Sequence, residues 1–224
     1  MTPDNLILAL DVDTPDEALS WVKRLKSRIG CFKVGLQLYT RAGNDLVKQI
    51  RKLGGDVFLD LKFCDIPNTV AKAVESVCSL DVKFLTIHTL GGPHMMRAAV
   101  DACAKDTTVL GVTVLTSLDD SDLKVMGFNF TTSAEVLQLA RVAKAAGLNA
   151  LVCSPLETEL IRHEFGDDFT LVTPGVRPAG SSQDDQSRVT TPQKAIAEGS
   201  NYVVMGRPIL KAENPETLLD SMFE

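Results

Sequence analysis

The sequence predicts an α/β fold, a single-domain (β/α)8 TIM barrel filling residues 1–224. Three observations lead there. Eight short apolar runs alternate with amphipathic segments, the pattern of parallel strands joined by helical crossovers. Eight such units fit within 224 residues, about the length that a closed barrel needs. No G-x-G-x-x-G follows the first run, which weakens the rival, an open doubly wound sheet with a nucleotide site.

In chain order the strand candidates are "LILALDV" (6–12), "CFKVGLQL" (31–38), "DVFLDLKF" (56–63) and "FLTIHTL" (84–90). "TVLGVTVLT" (108–116), "ALVCSP" (150–155), "TLVTPGV" (170–176) and "YVVMGRPI" (202–209) follow. Helical segments such as "DEALSWVKRLKSRI" and "SAEVLQLARVAKAAG" lie between them. In the second, Val136, Leu139, Ala140 and Ala143 recur at helical spacing. Thr14 and the Thr131–Ser133 segment sit where N-terminal caps belong. No Pro/Gly linker divides the chain, and "AGSSQDDQS" (179–187) reads as a long loop inside one domain.

Apolar residues make up 45% of the chain and charged residues 23%, the balance of an ordinary globular protein. A net charge of −6 without a long basic run disfavours nucleic acid as a partner, while a few local cations can still hold a small anion. No apolar run is long enough to span a membrane. The start, "MTPDNLILALDVD", lacks a basic region and stops being apolar at Asp11, unlike a signal peptide. Five cysteines with no C-x-x-C spacing read as reduced thiols. Together these features predict a cytoplasmic location.

The informative residues are charges at strand ends. Side chains alternate faces along a strand. In strand three, Val57, Leu59, Leu61 and Phe63 share an apolar face suited to the helix layer. Phe58, Asp60 and Lys62 share the other face, which points into a barrel. Strand one groups Ile7, Ala9, Asp11 and Asp13, and strand two groups Cys31, Lys33 and Gly35. Asp11, Lys33, Asp60 and Lys62 can therefore surround one point at the C-terminal mouth, where barrel enzymes place their sites. Asp65 follows in the next loop and, read alone, suits a helix cap equally well. Lys62 alone reads as a rim lysine that reaches for solvent. As a set, alternating charges lining a barrel mouth are poor stability design, because buried ion pairs often only break even. A functional site accounts for them better.

A second group suits an anion. "TPGVRPAG" and "GRPI" follow strands seven and eight, whose loops commonly form the phosphate site of barrel enzymes. Gly175 and Gly206 allow close backbone approach, Arg177 and Arg207 offer planar donor forks, and Gln186 offers an amide. The histidines, His88, His94 and His163, lack metal-ligand spacing, and His88 reads as a satisfied core histidine. Met95 and Met96 read as core packing.

"DLKFCDIPNTV" closely resembles the signature of the orotidine 5′-monophosphate decarboxylase family. The likeness runs through "LALDVD", "FKVGLQL", "VLTSLDDSDL", "TPGVRP" and "GRPI", and so covers essentially the whole chain. D-x-K-x-x-D alone is shared with related barrels that act on sugar phosphates, usually with magnesium; "IPNT" and the Lys33 strand favour the orotidylate branch. One departure is Cys64, where many members carry histidine.

The resemblance implies decarboxylation of orotidine 5′-monophosphate to UMP and CO2 in pyrimidine biosynthesis, with no cofactor or metal. It implies a charge array of Lys33, Asp60, Lys62 and Asp65, with Lys62 as proton donor to ring carbon 6. It also implies a homodimer in which Asp65 and Thr69 serve the partner's site. Asp11 and Lys33 would hold ribose hydroxyls, and Thr116 with Ser117 the pyrimidine edge. Arg177, Gln186, Gly206 and Arg207 would hold phosphate.

Overall fold

The computed structural model describes residues 1–103, 106–178 and 190–223. Eight parallel strands close into a barrel in sequence order: β1 (Leu6–Ala9), β2 (Cys31–Gly35), β3 (Asp56–Phe63), β4 (Phe84–His88), β5 (Thr108–Val112), β6 (Ala150–Val152), β7 (Thr170–Pro174) and β8 (Tyr202–Met205). β8 pairs back onto β1, so the sheet of described residues has no free edge. The helices are α1 (Pro15–Leu25), α2 (Leu36–Lys52), α3 (Pro67–Cys78), α4 (Gly92–Ala102), α5 (Asp120–Val125), α6 (Thr132–Ala145), α7 (Pro155–Phe165), α8 (Pro192–Ala197), α9 (Arg207–Leu210) and α10 (Pro215–Phe223). None among the described residues is long and apolar enough to cross a membrane.

All eight strands start where the sequence places them, and seven end earlier than expected. The apolar runs continue past the ladder because residues such as Val114 leave the sheet and line the mouth above it. A strand buried on both faces and a buried mouth give the same apolar run. The largest correction is in "YVVMGRPI": Arg207–Leu210 begin a helix, with Gly206 as its N-cap. The expected caps hold. Glu17 N donates to Thr14 Oγ1 at 3.2 Å, and Ala134 N to Thr131 Oγ1 at 3.4 Å.

Alternation along the strands sorts the core into two shells. Ile7, Ala9, Cys31, Phe58, Phe84, Leu110, Ala150, Val172 and Val204 form the inner cluster. Leu8, Val34, Val57, Leu59, Leu85 and Ile87 face the other way, into the cluster formed with the helices, which also holds Met95 and Met96. Phe84 meets Phe58 and Tyr202 edge to face, with ring centroids 5.9 and 5.1 Å apart. Burying each such ring is worth roughly 1.5–3 kcal/mol. This packed interior is the floor on which the polar mouth stands.

Candidate active site

The C-terminal mouth opens into a cavity of about 230 Å³. Asp11, Lys33, Asp60, Lys62, Thr116, Gly175, Arg177, Gly206 and Arg207 line it, together with apolar residues such as Phe58, Val112, Val152 and Met205. The charged residues form a chain. Lys33 Nζ lies 3.6 Å from Asp11 Oδ1 and 3.5 Å from Asp60 Oδ2. Lys62 Nζ donates to Asp60 Oδ1 at 2.8 Å. Asp60 thus stands between two ammonium groups, its side chain only 14% exposed.

The balance of forces on Asp60 is legible. Burial alone pushes its carboxyl up, since a carboxylate loses hydration there. The charges of Lys33 and Lys62, with hydrogen bonds from Lys62 and Thr86, outweigh that and hold it below the usual carboxylate range. The group remains ionised because the array surrounds it.

β3 reaches this arrangement through an irregular end. Leu59 pairs with Leu85 and Phe63 with Ile87, so β3 takes four steps where β4 takes two. The surplus is an even number, which preserves alternation: Leu59 and Phe63 both pack against the helix layer. Within the bulge, Lys62 adopts φ +50°, a left-handed conformation that a side chain with a Cβ rarely takes. Such backbone costs on the order of 1–3 kcal/mol and persists where surrounding contacts enforce it. Those contacts include Thr86 on β4, whose hydroxyl accepts from Lys62 N at 2.9 Å and donates to Asp60 Oδ1 at 3.0 Å. Sequence reasoning passed over Thr86. Its signal was a polar residue between Phe84 and His88 on one face of strand four, but the contact depends on a bulge that the sequence does not announce.

Several polar residues near the mouth lie outside the cavity. Asp13 is exposed and outside the cavity; its carboxylate accepts from Gln37 Nε2 at 3.0 Å, tying the loop after β1 to α2. Ser117 is exposed and does not line the cavity, unlike Thr116. Asp65 and Thr69 are exposed and also outside this chain's own cavity. Asp65 does not cap α3: the N-cap is Ile66, and among the described residues Asp65 Oδ1 accepts from the adjacent Ile66 N, at 2.6 Å. Cys64 is exposed. His88 Nδ1 accepts from Leu90 N at 3.4 Å; burial, then the Lys62 charge, lower its ionisation below the ordinary imidazole value.

The arginine loops occupy the other side of the mouth. Gly175 adopts φ +80°, a turn suited to glycine, and Arg177 is buried just beyond it. Val176 bridges to Thr190, and Arg177 N donates to Thr190 O at 2.9 Å, so the two described ends of the loop meet. Gln186 and the expected 179–187 loop lie outside the described residues. A Cβ on Gly206 would stand 3.2 Å from both Ala9 Cβ and Asp11 Oδ2, so the loop after β8 lies directly on β1. Around the mouth the order is therefore Arg177 and Arg207, then Asp11, then Lys33, then Asp60 and Lys62.

A closed parallel barrel with its polar cavity at the C-terminal mouth is the arrangement of a (β/α)8-barrel enzyme. The chain belongs to the orotidine 5′-phosphate decarboxylase / HUMPS family, whose sequence profile matches residues 4–222. It is 48% identical over 218 residues to the orotidine 5′-phosphate decarboxylase of Syntrophotalea carbinolica, covering 94% of this chain and 89% of that protein. It is 47% identical over 221 residues to the protein of that name from Actinobacillus succinogenes, covering 97% and 95%. The crystal structure of orotidine 5′-phosphate decarboxylase from Lactobacillus acidophilus superposes with a TM-score of 0.82 at 34% identity, covering 98% of this chain and 97% of that one.

The ion array makes acid stability a readout of Asp60. The folded state keeps this carboxyl below the ordinary value of 3.8. Its share of stability is fully present above the unfolded pKa and is lost as pH falls through the lower folded value. Unfolding free energies of wild type and Asp60→Asn, measured by urea titration at falling pH, should draw together below about pH 4, where the wild-type advantage begins to be lost. A difference between the two that stays constant down to about pH 3 would contradict the array.

Proposed function

We propose that this protein converts orotidine 5′-monophosphate to UMP and CO2 without a cofactor, as a cytoplasmic homodimer. The observation that carries the reading is the chain Asp11–Lys33–Asp60–Lys62 at the mouth of a barrel of this family. The order of residues round the mouth matches the order of parts in the substrate. Phosphate lies against Arg177, Gly206 and Arg207, ribose hydroxyls meet Asp11 and Lys33, and the pyrimidine lies over Asp60 and Lys62 with Thr116 at its edge. Gln186 adds a phosphate donor.

In this reading the bond from ring carbon 6 to the carboxylate breaks, and its electron pair stays on carbon 6 as CO2 departs. No ring carbonyl is placed to delocalise that pair. The Lys62 ammonium stabilises the developing charge, then transfers a proton to carbon 6; the neutral amine regains one from water. The charge on Lys62 is fixed in advance by Asp60 at 2.8 Å, so little reorganisation is needed as the carbanion forms. Asp60 also faces the carboxylate that leaves, and their repulsion is relieved as CO2 goes.

The dimer is supported by what the mouth leaves uncovered. Leu36 at the start of α2, Ile66 just before α3 and Leu90 just after β4, beyond the ends of three neighbouring strands, are 56%, 67% and 46% exposed. Apolar residues grouped in this way suit a contact surface, and Asp65 stands next to Ile66. In a two-fold pair the same patch faces itself, so Asp65 and Thr69 of each chain enter the partner's cavity rather than their own.

The direct test is loss of orotidine 5′-monophosphate absorbance with purified protein, with and without EDTA. Full activity in EDTA is expected, because Lys62 supplies the positive charge. Activity that EDTA abolishes and magnesium restores would move the protein to the sugar-phosphate side of the family.

The shared site predicts complementation. Lys62→Ala and Asp65→Ala homodimers should each be nearly inactive. Subunit exchange between them gives mixed dimers with one intact and one doubly defective site. Random pairing makes about half the dimers mixed, so about a quarter of wild-type activity should return. Mixed dimers confirmed by mass spectrometry of tagged chains that remain inactive would show that Asp65 does not serve the partner's site.

A further inference from the structure

Three buried threonines near Thr86 satisfy their hydroxyls on a backbone carbonyl. Thr89 donates to Val112 O at 2.8 Å, Thr107 to Val82 O at 2.7 Å and Thr113 to Val152 O at 3.1 Å. Thr86, fully buried on β4, does something different. Its hydroxyl accepts from Lys62 N at 2.9 Å and donates to Asp60 Oδ1 at 3.0 Å. Both partners belong to the bulged end of β3. Between the Leu59–Leu85 and Phe63–Ile87 pairs, β3 carries two residues more than β4 can match. A backbone N–H there is costly to bury without an acceptor, and the Thr86 hydroxyl supplies one. Its own proton then goes to the carboxylate oxygen that also receives Lys62 Nζ.

We propose that Thr86 is a positioning residue for the reaction: its hydroxyl clamps the left-handed turn at Lys62 to the carboxylate of Asp60, and so fixes where the Lys62 ammonium stands. The inference rests on the roles proposed above for Lys62 and Asp60. One hydroxyl joins the backbone of the proton donor to the side chain that orients it. Without it, Lys62 keeps its charge and its ion pair but loses the contact that holds its backbone at φ +50°. The proposed phosphate grip lies on the opposite side of the mouth, so the clamp should act more on turnover than on affinity.

Thr86→Val keeps the shape and removes both hydrogen bonds. In steady-state assays with orotidine 5′-monophosphate, kcat should fall about 10- to 100-fold, the range of a lost hydrogen bond to a charged group, while KM changes less than about threefold. Thr86→Ser restores the hydroxyl and should return kcat to within about threefold of wild type. The acid limb of the kcat profile should move to higher pH in Thr86→Val, because Asp60 loses one of the donors that keep it ionised. The charged groups facing Asp60 are Lys33 from β2 and Lys62 from β3, with Asp11 beyond Lys33. His88, at the end of β4, also feels the Lys62 charge, so the limb is assigned to Asp60 only if it persists in His88→Gln.

A folded Thr86→Val with wild-type kcat would overturn the inference, as would Thr86→Ser losing as much as Thr86→Val. Should valine prevent folding, Thr86→Ser and Thr86→Ala give the same comparison, with serine expected to be at least about tenfold faster. Lys62→Ala assayed in parallel separates two failures. An active Lys62→Ala sinks the functional reading together with the clamp; an inactive Lys62→Ala beside an unimpaired Thr86→Val sinks the clamp alone.

Discussion

The Asp60 carboxylate, held between the ammonium groups of Lys33 and Lys62, is the contact around which the mouth is organised. A carboxylate so little exposed is costly to ionise unless its neighbours compensate. Here they come from three strands: Lys33 from β2, Lys62 from β3 itself and Thr86 from β4. Each neighbour in turn needs Asp60, since two lysines converging on one cavity would otherwise repel. The irregular end of β3 follows from the same requirement. In a regular strand the Lys62 N–H would meet a ladder carbonyl; here it meets the Thr86 hydroxyl while Lys62 Nζ reaches back to Asp60. The left-handed turn at Lys62 allows both.

Beneath the array the barrel interior is filled with apolar side chains. Phe58 and Phe84 stack edge to face directly below the charged level, and Phe58 is both floor of the cavity and member of the inner core. Interiors of this density do not deform continuously, so the charges stand on a platform that fixes their spacing. The side proposed to hold phosphate is built differently, from loops after β7 and β8 and from close backbone approach at Gly206. The two halves meet at Asp11, which touches Lys33 on one side and faces Gly206 on the other. Closure of β8 onto β1 is what joins them.

Much of this was legible in the chain itself. The eight strand starts follow from apolar runs bounded by helical segments, and the inward faces of strands one to three follow from alternation. Asp60 and Lys62 survive the bulge in that reading only because the extra residues number two; one extra residue would have turned Lys62 toward the helices. Strand ends were harder, because Val112 and Val152 serve both ladder and cavity lining, while Val114 lines the cavity beyond the ladder. Asp13 was grouped with Asp11 by a period that ceased to apply once β1 ended at Ala9. Thr86 was hidden because its partner is a backbone N–H displaced by tertiary structure, and no spacing within strand four encodes that. The resemblance of "DLKFCDIPNTV" to its family supplied the roles that geometry alone leaves open, above all the proposal that Asp65 and Thr69 serve the partner's site.

The central claim is that the turn at Lys62 delivers its ammonium to the carbon that loses CO2. A crystal structure of the protein with UMP bound tests it most directly. The account predicts Lys62 Nζ within about 3.5 Å of ring carbon 6, near hydrogen-bond reach, with Asp60 still bonded to it and the phosphate on Arg177 and Arg207. UMP seated with its phosphate against Lys33 and Lys62, or with ring carbon 6 well beyond reach of Lys62 Nζ, would contradict it.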